Sequence, residues 1–300
     1  MKVYNVVGDT LIEEGASGFS MSNNDTVVWI PEFYCKTTSD TLNKKLKFEI
    51  SNEPKLGFIK HPGSGRYIGR YHTSGSSEEV FSKSGVSPLV NVNHPNLRTY
   101  SKAKGTGWYM LDYATWNALQ WLYLVEYANF DSQTTLGKGW NTGSIDSMGG
   151  TDAAIYHTIQ ATGDHNMYRW VEDPFSNVMD WIDGFLGSTS SIYIGTDPSA
   201  YDGTTSALTA TSLKLPSSGF IKEFSIDANA PWAFVPTASN GTTESYVHDR
   251  VASSSSSYPA YVGGTYINTT DYGMFFFLAD YQASKPSGFI GSRLIYLADS

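Results

Sequence analysis

Gly263-Gly264-Thr265-Tyr266-Ile267-Asn268, Tyr272-Gly273-Met274-Phe275 and Ile290-Gly291-Ser292-Arg293-Leu294 punctuate the last forty residues of the chain. Glycines and apolar residues recur there at fixed posts. Between them lie Thr, Asn, Asp, Tyr, Lys and Ser, residues that suit a contact surface better than a core. The alternation predicts a rigid frame that displays an exchangeable face. Within it Gly263, Gly264 and Gly291 are expected to serve backbone shape, and Arg293 is expected to form a structural ion pair beneath the face.

Working back toward the amino terminus, the Ser-rich run Ser253–Ser257 reads as a mobile loop, and residues 186 to 258 read as short strands with Ser/Thr-rich connections. That stretch is either an insertion or part of a second sheet. Val171-Glu172-Asp173-Pro174-Phe175-Ser176-Asn177-Val178-Met179-Asp180-Trp181 is a second landmark, preceded by Gly-rich loops around Gly139-Trp140 and Met148-Gly149-Gly150. Two helices are expected upstream. One has Pro95 just inside its start and Gly105 just past its end. The other takes Asp112 as N-cap and runs from Tyr113 to Ala128, with Trp116, Leu119, Leu122, Tyr123 and Val125 at helical spacing. A helix apolar on most sides is expected to be buried on most sides. Strands are read at Thr26–Ile30, at Leu46–Ile50 and at Tyr67–Tyr71, whereas residues 1 to about 24 look irregular, and residues 1–25 serve in this reading as a tether or assembly segment. No period of twenty to fifty residues repeats, which disfavours a solenoid or a propeller.

Three of these segments, in order, resemble proteins of known kind. The terminal motif is similar to the carboxyl-terminal segment of C-type-lectin-fold proteins from phage tails and diversity-generating retroelements, with Ser292 in place of the usual aromatic and Tyr266 in place of the usual Trp. Leu97-Arg98-Thr99-Tyr100 through Gly105 to Trp116 resembles the helix-turn-helix signature of phage variable proteins and formylglycine-generating enzymes. Ser176-Asn177-Val178-Met179-Asp180-Trp181 resembles their Gly-Asn-Val-Trp-Glu-Trp segment. Ile30-Pro31-Glu32-Phe33-Tyr34 looks like the first core strand of prophage tail proteins. The resemblance implies an α+β, C-type lectin-like domain over residues 26–300, with short twisted antiparallel strands, two main helices and long loops.

Composition bounds the function. The 300 residues carry 20 Tyr, 15 Phe and 8 Trp but only 16% charged residues, a mix that favours strands and aromatic contact surfaces. A net charge of −9 argues against a nucleic-acid partner, since phosphates are neutralised by Lys and Arg. No apolar run reaches the roughly eighteen residues that span a bilayer, and no charged start followed by an apolar run marks a signal peptide; a virion protein released at lysis fits both expectations, as does a cytoplasmic protein. Cys35 is the only cysteine and is expected to be an inert thiol. The reactive cysteines that formylglycine-generating enzymes need near the carboxyl end are absent, so that oxidase chemistry is not expected.

Other chemistry is sparse. His61, His72, His94, His157, His165 and His248 lack metal-binding helical spacing, and Gly163-Asp164-His165 reads as a turn as readily as a catalytic pair. Glu172, Asp173, Asp180 and Asp183 form the densest acidic cluster. A glycosidase would need two such carboxylates about 5 to 10 Å apart, and calcium held by carboxylate and backbone oxygens is the other chemistry they suit. No catalytic residue and no metal ligand is assigned. The resemblance implies a receptor-binding, adhesin-like protein of a phage tail tip, non-enzymatic and trimeric, contacting a bacterial surface glycan or protein alongside other tail proteins. The exchangeable positions it carries over are Thr265, Ile267, Asn268, Asp271, Phe276, Leu278, Asp280, Tyr281, Lys285 and Ser287. A structural assembly protein and a glycan-cleaving tail enzyme are the competing readings.

Overall fold

The computed structural model describes residues 1–40, 45–154, 164–242 and 247–298. Its architecture follows from where the β-branched and aromatic residues fall. Asp25–Ile30, with Val27, Val28 and Ile30 fully buried, lies inside a six-stranded sheet. The strand order in this first sheet is Trp108–Met110, Leu294–Tyr296, Arg66–Gly69, Asp25–Ile30, Lys2–Val7 and Thr10–Glu13. The amino-terminal segment, expected to be irregular, therefore contributes two paired strands. Lys2–Val7 runs antiparallel to Asp25–Ile30, with Val3 opposite Val28 and Asn5 opposite Thr26. Asn5 is fully buried and its amide donates to Thr26 Oγ1 at 3.0 Å. A polar residue buried this way breaks the apolar alternation that would have marked the strand.

The second six-stranded sheet is ordered Ser218–Phe220, Arg250–Ser253, Phe277–Ala279, Tyr261–Val262, Met179–Trp181 and Ile290–Gly291. Two of its pairings are parallel: Arg250–Ser253 with Phe277–Ala279, and Met179–Trp181 with Ile290–Gly291. Segment 186–258 thus supplies two strands to the sheet that carries the terminal motif. It also supplies the hairpin Glu223–Asp227 with Ala230–Ala238, which packs on the longest helix.

Helix α1 (His94–Ala103) is capped by Asn93, whose side chain accepts the Asn96 N–H, and Pro95 sits in its first turn. Helix α2 (Tyr113–Tyr127) has Asp112 as N-cap, accepting the Thr115 N–H at 2.9 Å. Every residue from Tyr113 to Leu124 is buried, as its apolar composition predicts, while Val125 is exposed. The helix closes on Ala128 in the left-handed region rather than on a glycine. A short α3 (Ser132–Leu136) follows.

Both helices expected upstream exist, yet the expected α+β class is overturned. Strands hold 33% of the residues and helices 11%, so the chain is broadly all-β. The reason is local: most of its strands are two or three residues long, too short to show alternation, and they hide among Gly- and Ser-rich connections. Among the described residues no helix is long and apolar enough to cross a membrane.

The terminal motif joins the two sheets. Ile290–Gly291 belongs to the second and Leu294–Tyr296 to the first, so the chain crosses between them at Ser292–Arg293. Gly263 and Gly264 take φ of +91° and +76°. A Cβ on Gly264 would meet Tyr272 Cβ at 2.4 Å, so both its backbone angle and its surroundings require glycine.

Candidate functional site

A cavity of about 300 Å³ opens on the second sheet beside the terminal motif. Seven of the ten sequence-predicted positions line it: Thr265, Ile267, Asn268, Asp271, Phe276, Leu278 and Asp280. The other three lie outside its lining. Tyr281 is half-buried and its hydroxyl donates to Pro286 O at 3.2 Å, Lys285 is exposed, and Ser287 is bound to Asn91 through its backbone. All three sit on the connection between two strands of the second sheet, Phe277–Ala279 and Ile290–Gly291.

The lining residues fall into two groups. Thr265 and Phe276 are each only 3% exposed and form the base rather than a free face, which corrects their placement as solvent-facing. Thr265 Oγ1 donates to Asn177 O at 3.1 Å, and its N–H donates to Asn268 Oδ1 at 2.9 Å. Asn268 in turn donates to Asp271 Oδ1 at 3.1 Å, so the turn from 265 to 271 is fixed by its own side chains. Ile267 is 56% exposed and Phe289 40% exposed, both at the cavity, and Tyr266 packs beside the Phe289 ring at 5.7 Å.

Sequence reasoning missed Met179, Arg250, Ala252, Tyr261 and Phe289 in the lining. Arg250 and Ala252 arrive through the parallel pairing of Arg250–Ser253 with Phe277–Ala279, a long-range contact that no local pattern announces. Arg250 Nη1 lies 3.6 Å from Asp271 Oδ2, a loose and half-exposed pair. Tyr261 is 6% exposed, packs edge-on to Trp181 at 5.2 Å and donates its hydroxyl to Asp280 Oδ1 at 2.5 Å. A core residue thus orients the exposed Asp280 carboxylate.

Asp249, next in the chain to the lining residue Arg250, is buried and accepts the Phe275 N–H at 2.7 Å. Burial raises its carboxyl to about 7; the Phe275 N–H opposes this and the Asp131 charge adds to it. The adjacent Ser132 hydroxyl accepts the Met274 N–H at 2.9 Å. These contacts hold the Gly273–Phe275 turn.

The acidic cluster of the sequence divides into three buried networks, the last two joined through Arg293. Asp183 takes a two-pronged pair from Arg98, at 2.5 and 2.8 Å; burial works against ionisation, but the Arg98 hydrogen bond and the His94 and Arg98 charges hold its carboxyl below the usual range. Asp180 receives Arg293 Nε at 3.0 Å and His72 Nδ1 at 2.9 Å. Burial and the Arg293 charge lower the His72 pKa, so the neutral ring donates from Nδ1 to Asp180 and accepts Arg293 Nη2 at Nε2, 3.1 Å away. Arg293, fully buried, also donates to the carbonyls of Arg70 at 3.1 Å and Glu172 at 2.7 Å, and to that of Asp173. The ion-pair role read for it from sequence is what the structure has.

Glu172 and Asp173 meet His165 in the third network, where ligand-type atoms of the three lie within 4.8 Å of one another. Their oxygens are already engaged. Glu172 accepts the Gly149 N–H, the Thr151 N–H and the Thr151 hydroxyl at 2.6, 2.7 and 2.5 Å. His165 faces Asp173 through Nδ1 at 2.5 Å and Asp146 through Nε2 at 3.3 Å, with Trp140 stacked on its ring. Burial pulls the His165 pKa down, yet the hydrogen bond to Asp173 and the surrounding carboxylates outweigh it and lift it to about 9. An imidazolium between two carboxylates accounts for the group without a cation. Asp180 and Asp183 stand apart from it, so the four acids read together for calcium do not form one ligand set.

Burial governs three further titratable groups. Burial lowers His61 to about 3 and His94 to about 4, and it pushes the Cys35 thiol up to about 12, leaving that cysteine unreactive. His157 and Gly163 lie outside the described residues. No family model and no curated protein matches the chain.

Proposed function

We propose that the chain is a receptor-binding protein of a phage tail tip that contacts a molecule of the bacterial surface through the cavity beside its terminal motif. The observation that carries this reading is the convergence of Ile267, Asn268, Asp271, Leu278 and Asp280 on one concavity of about 300 Å³. That volume lies at the lower end of small-ligand sites, and an apolar lining with a few fixed polar groups is the ordinary make-up of such sites. The hydrogen-bonded turn beneath it supplies a frame on which exposed side chains can change without unfolding the core. The likeness of the terminal motif to phage variable proteins supplies the biological setting of the proposal.

The test is labelling of a panel of bacterial strains with the fluorescent protein, beside a variant carrying Ile267→Ala, Leu278→Ala and Asp280→Ala. Strain-selective labelling by the parent and at least a tenfold loss in a variant of unchanged melting temperature is the expected outcome. Equal labelling by both proteins, or none by either, overturns the reading.

A further inference from the structure

Resting on the receptor-binding reading, we propose that the ligand taken by this cavity is an amine-bearing saccharide, its ammonium group seated on Asp280 and its apolar ring face against Ile267 and Phe289. Charge is the first argument. Asp271, Asp280 and Arg250 are the ionisable side chains at the cavity apart from the tyrosine hydroxyl, and Arg250 already faces Asp271 at 3.6 Å. Asp280 pairs with no cation among the described residues. The cavity thus carries one uncompensated negative charge within a chain of net charge −9. Phosphorylated, sulfated or carboxylated ligands meet repulsion there, and a cation meets attraction.

Preorganisation is the second argument. An exposed aspartate ordinarily loses side-chain freedom on binding. Here the Tyr261 hydroxyl already holds Asp280 Oδ1 at 2.5 Å, and Tyr261 is itself wedged against Trp181. The other carboxylate oxygen is therefore presented in a fixed position. Shape is the third argument. A dish of about 300 Å³ accommodates one or two sugar rings, whereas a protein partner ordinarily buries about 800 Å² on each side. Ile267 and Phe289, exposed by 56% and 40%, give the apolar surface that the non-polar face of a pyranose requires.

The test uses the full chain and three soluble probes: a glucosamine oligomer, its N-acetylated counterpart and a glucose phosphate, titrated calorimetrically at neutral pH. The expected result is binding of the glucosamine oligomer alone, weakened at least tenfold by Asp280→Asn and weakened by raising salt from about 0.05 to about 0.5 M. Asparagine retains an acceptor for the Tyr261 hydroxyl, so this variant removes the charge and keeps the geometry. Equal binding of the N-acetylated oligomer, binding of the phosphate, or no binding of any probe overturns the proposal. Strain labelling separates it from the broader reading. Labelling that survives chemical N-acetylation of the cell surface sinks the amine specificity and leaves receptor binding standing, whereas a protein that labels no strain removes both.

Discussion

Arg293 has no solvent to fall back on, so replacing it with alanine strands the Asp180 carboxylate in the interior and frees the carbonyls of Arg70, Glu172 and Asp173 at once. Loss of one partner of a buried pair costs about 3 to 5 kcal/mol. Urea unfolding of Arg293→Ala is expected to show a loss of that size, with lysine rescuing little because a single ammonium cannot reproduce the guanidinium fork. Two other side chains make stability depend on pH in separate windows. His165 has a folded pKa of about 9, above its ordinary 6.5, so its contribution is full below about pH 6.5 and is lost as pH rises through 9. Asp249 has a folded pKa of about 7 against 3.8, so its contribution is full below about pH 4 and is lost as pH rises through 7. Melting temperatures across pH 4 to 10 are expected to lose the upper slope in His165→Gln and the lower slope in Asp249→Asn. A variant that keeps its slope would show that the group does not titrate in this way. Arg293 was legible from its place in the terminal motif. The titrations were not, because the pairing of His165 with Asp146, and the enclosure of Asp249, depend on the loops folded over them.

Among the elements, α2 owes its start to one carboxylate with two duties. Asp112 caps the helix through Oδ1 and binds Arg66 Nη1 through Oδ2 at 2.8 Å. An N-cap alone is worth about 0.5 to 2 kcal/mol. Asp112→Ala also leaves Arg66 buried without its carboxylate, so its thermal and urea stability is expected to fall by about 3 kcal/mol or more. Asp112→Asn, which keeps the cap and loses the charge, is expected to lie between; a loss as small as that of an ordinary cap would sink the argument. Both long helices were readable because caps and apolar periodicity are local signals. The sheets were less so. Lys2–Val7 was hidden by buried Asn5, and strands such as Tyr261–Val262 and Ile290–Gly291 are two residues long, their identity residing in partners up to 111 positions away along the chain, as with Met179 and Ile290. The cavity shares this division. Its turn from Thr265 to Asp271 lies within the terminal motif, whereas Ala252 and Tyr261 enter it through pairing with Leu278, and Arg250 through its N–H to Asp271 O at 3.0 Å.

For the whole molecule the decisive feature is that the seven-residue stretch 290–296 carries a strand of each large sheet. Leu294–Tyr296 sits inside the first sheet, between Trp108–Met110 and Arg66–Gly69, and Ile290–Gly291 closes one edge of the second. Removing an interior strand exposes the backbone groups of two neighbours, along with the apolar surface once covered by the buried Leu294 and Ile295. Removing the chain after Gly288 also deletes Arg293 and the contacts it makes across the crossing. The two sheets are therefore expected to lose their packing together rather than one at a time. The truncated chain should bind a hydrophobic dye such as ANS, elute as an expanded or aggregated species and show no cooperative thermal transition, as collapsed chains without fixed packing do. Deletion of Lys2–Glu13, which occupies one edge of the first sheet only, is expected to leave a cooperative transition at lower temperature. If the carboxyl-terminal truncation instead melts cooperatively near the full-length temperature, the crossing is dispensable, and the cavity beside it must draw its rigidity from the 265–271 turn and the Asp249 contacts alone.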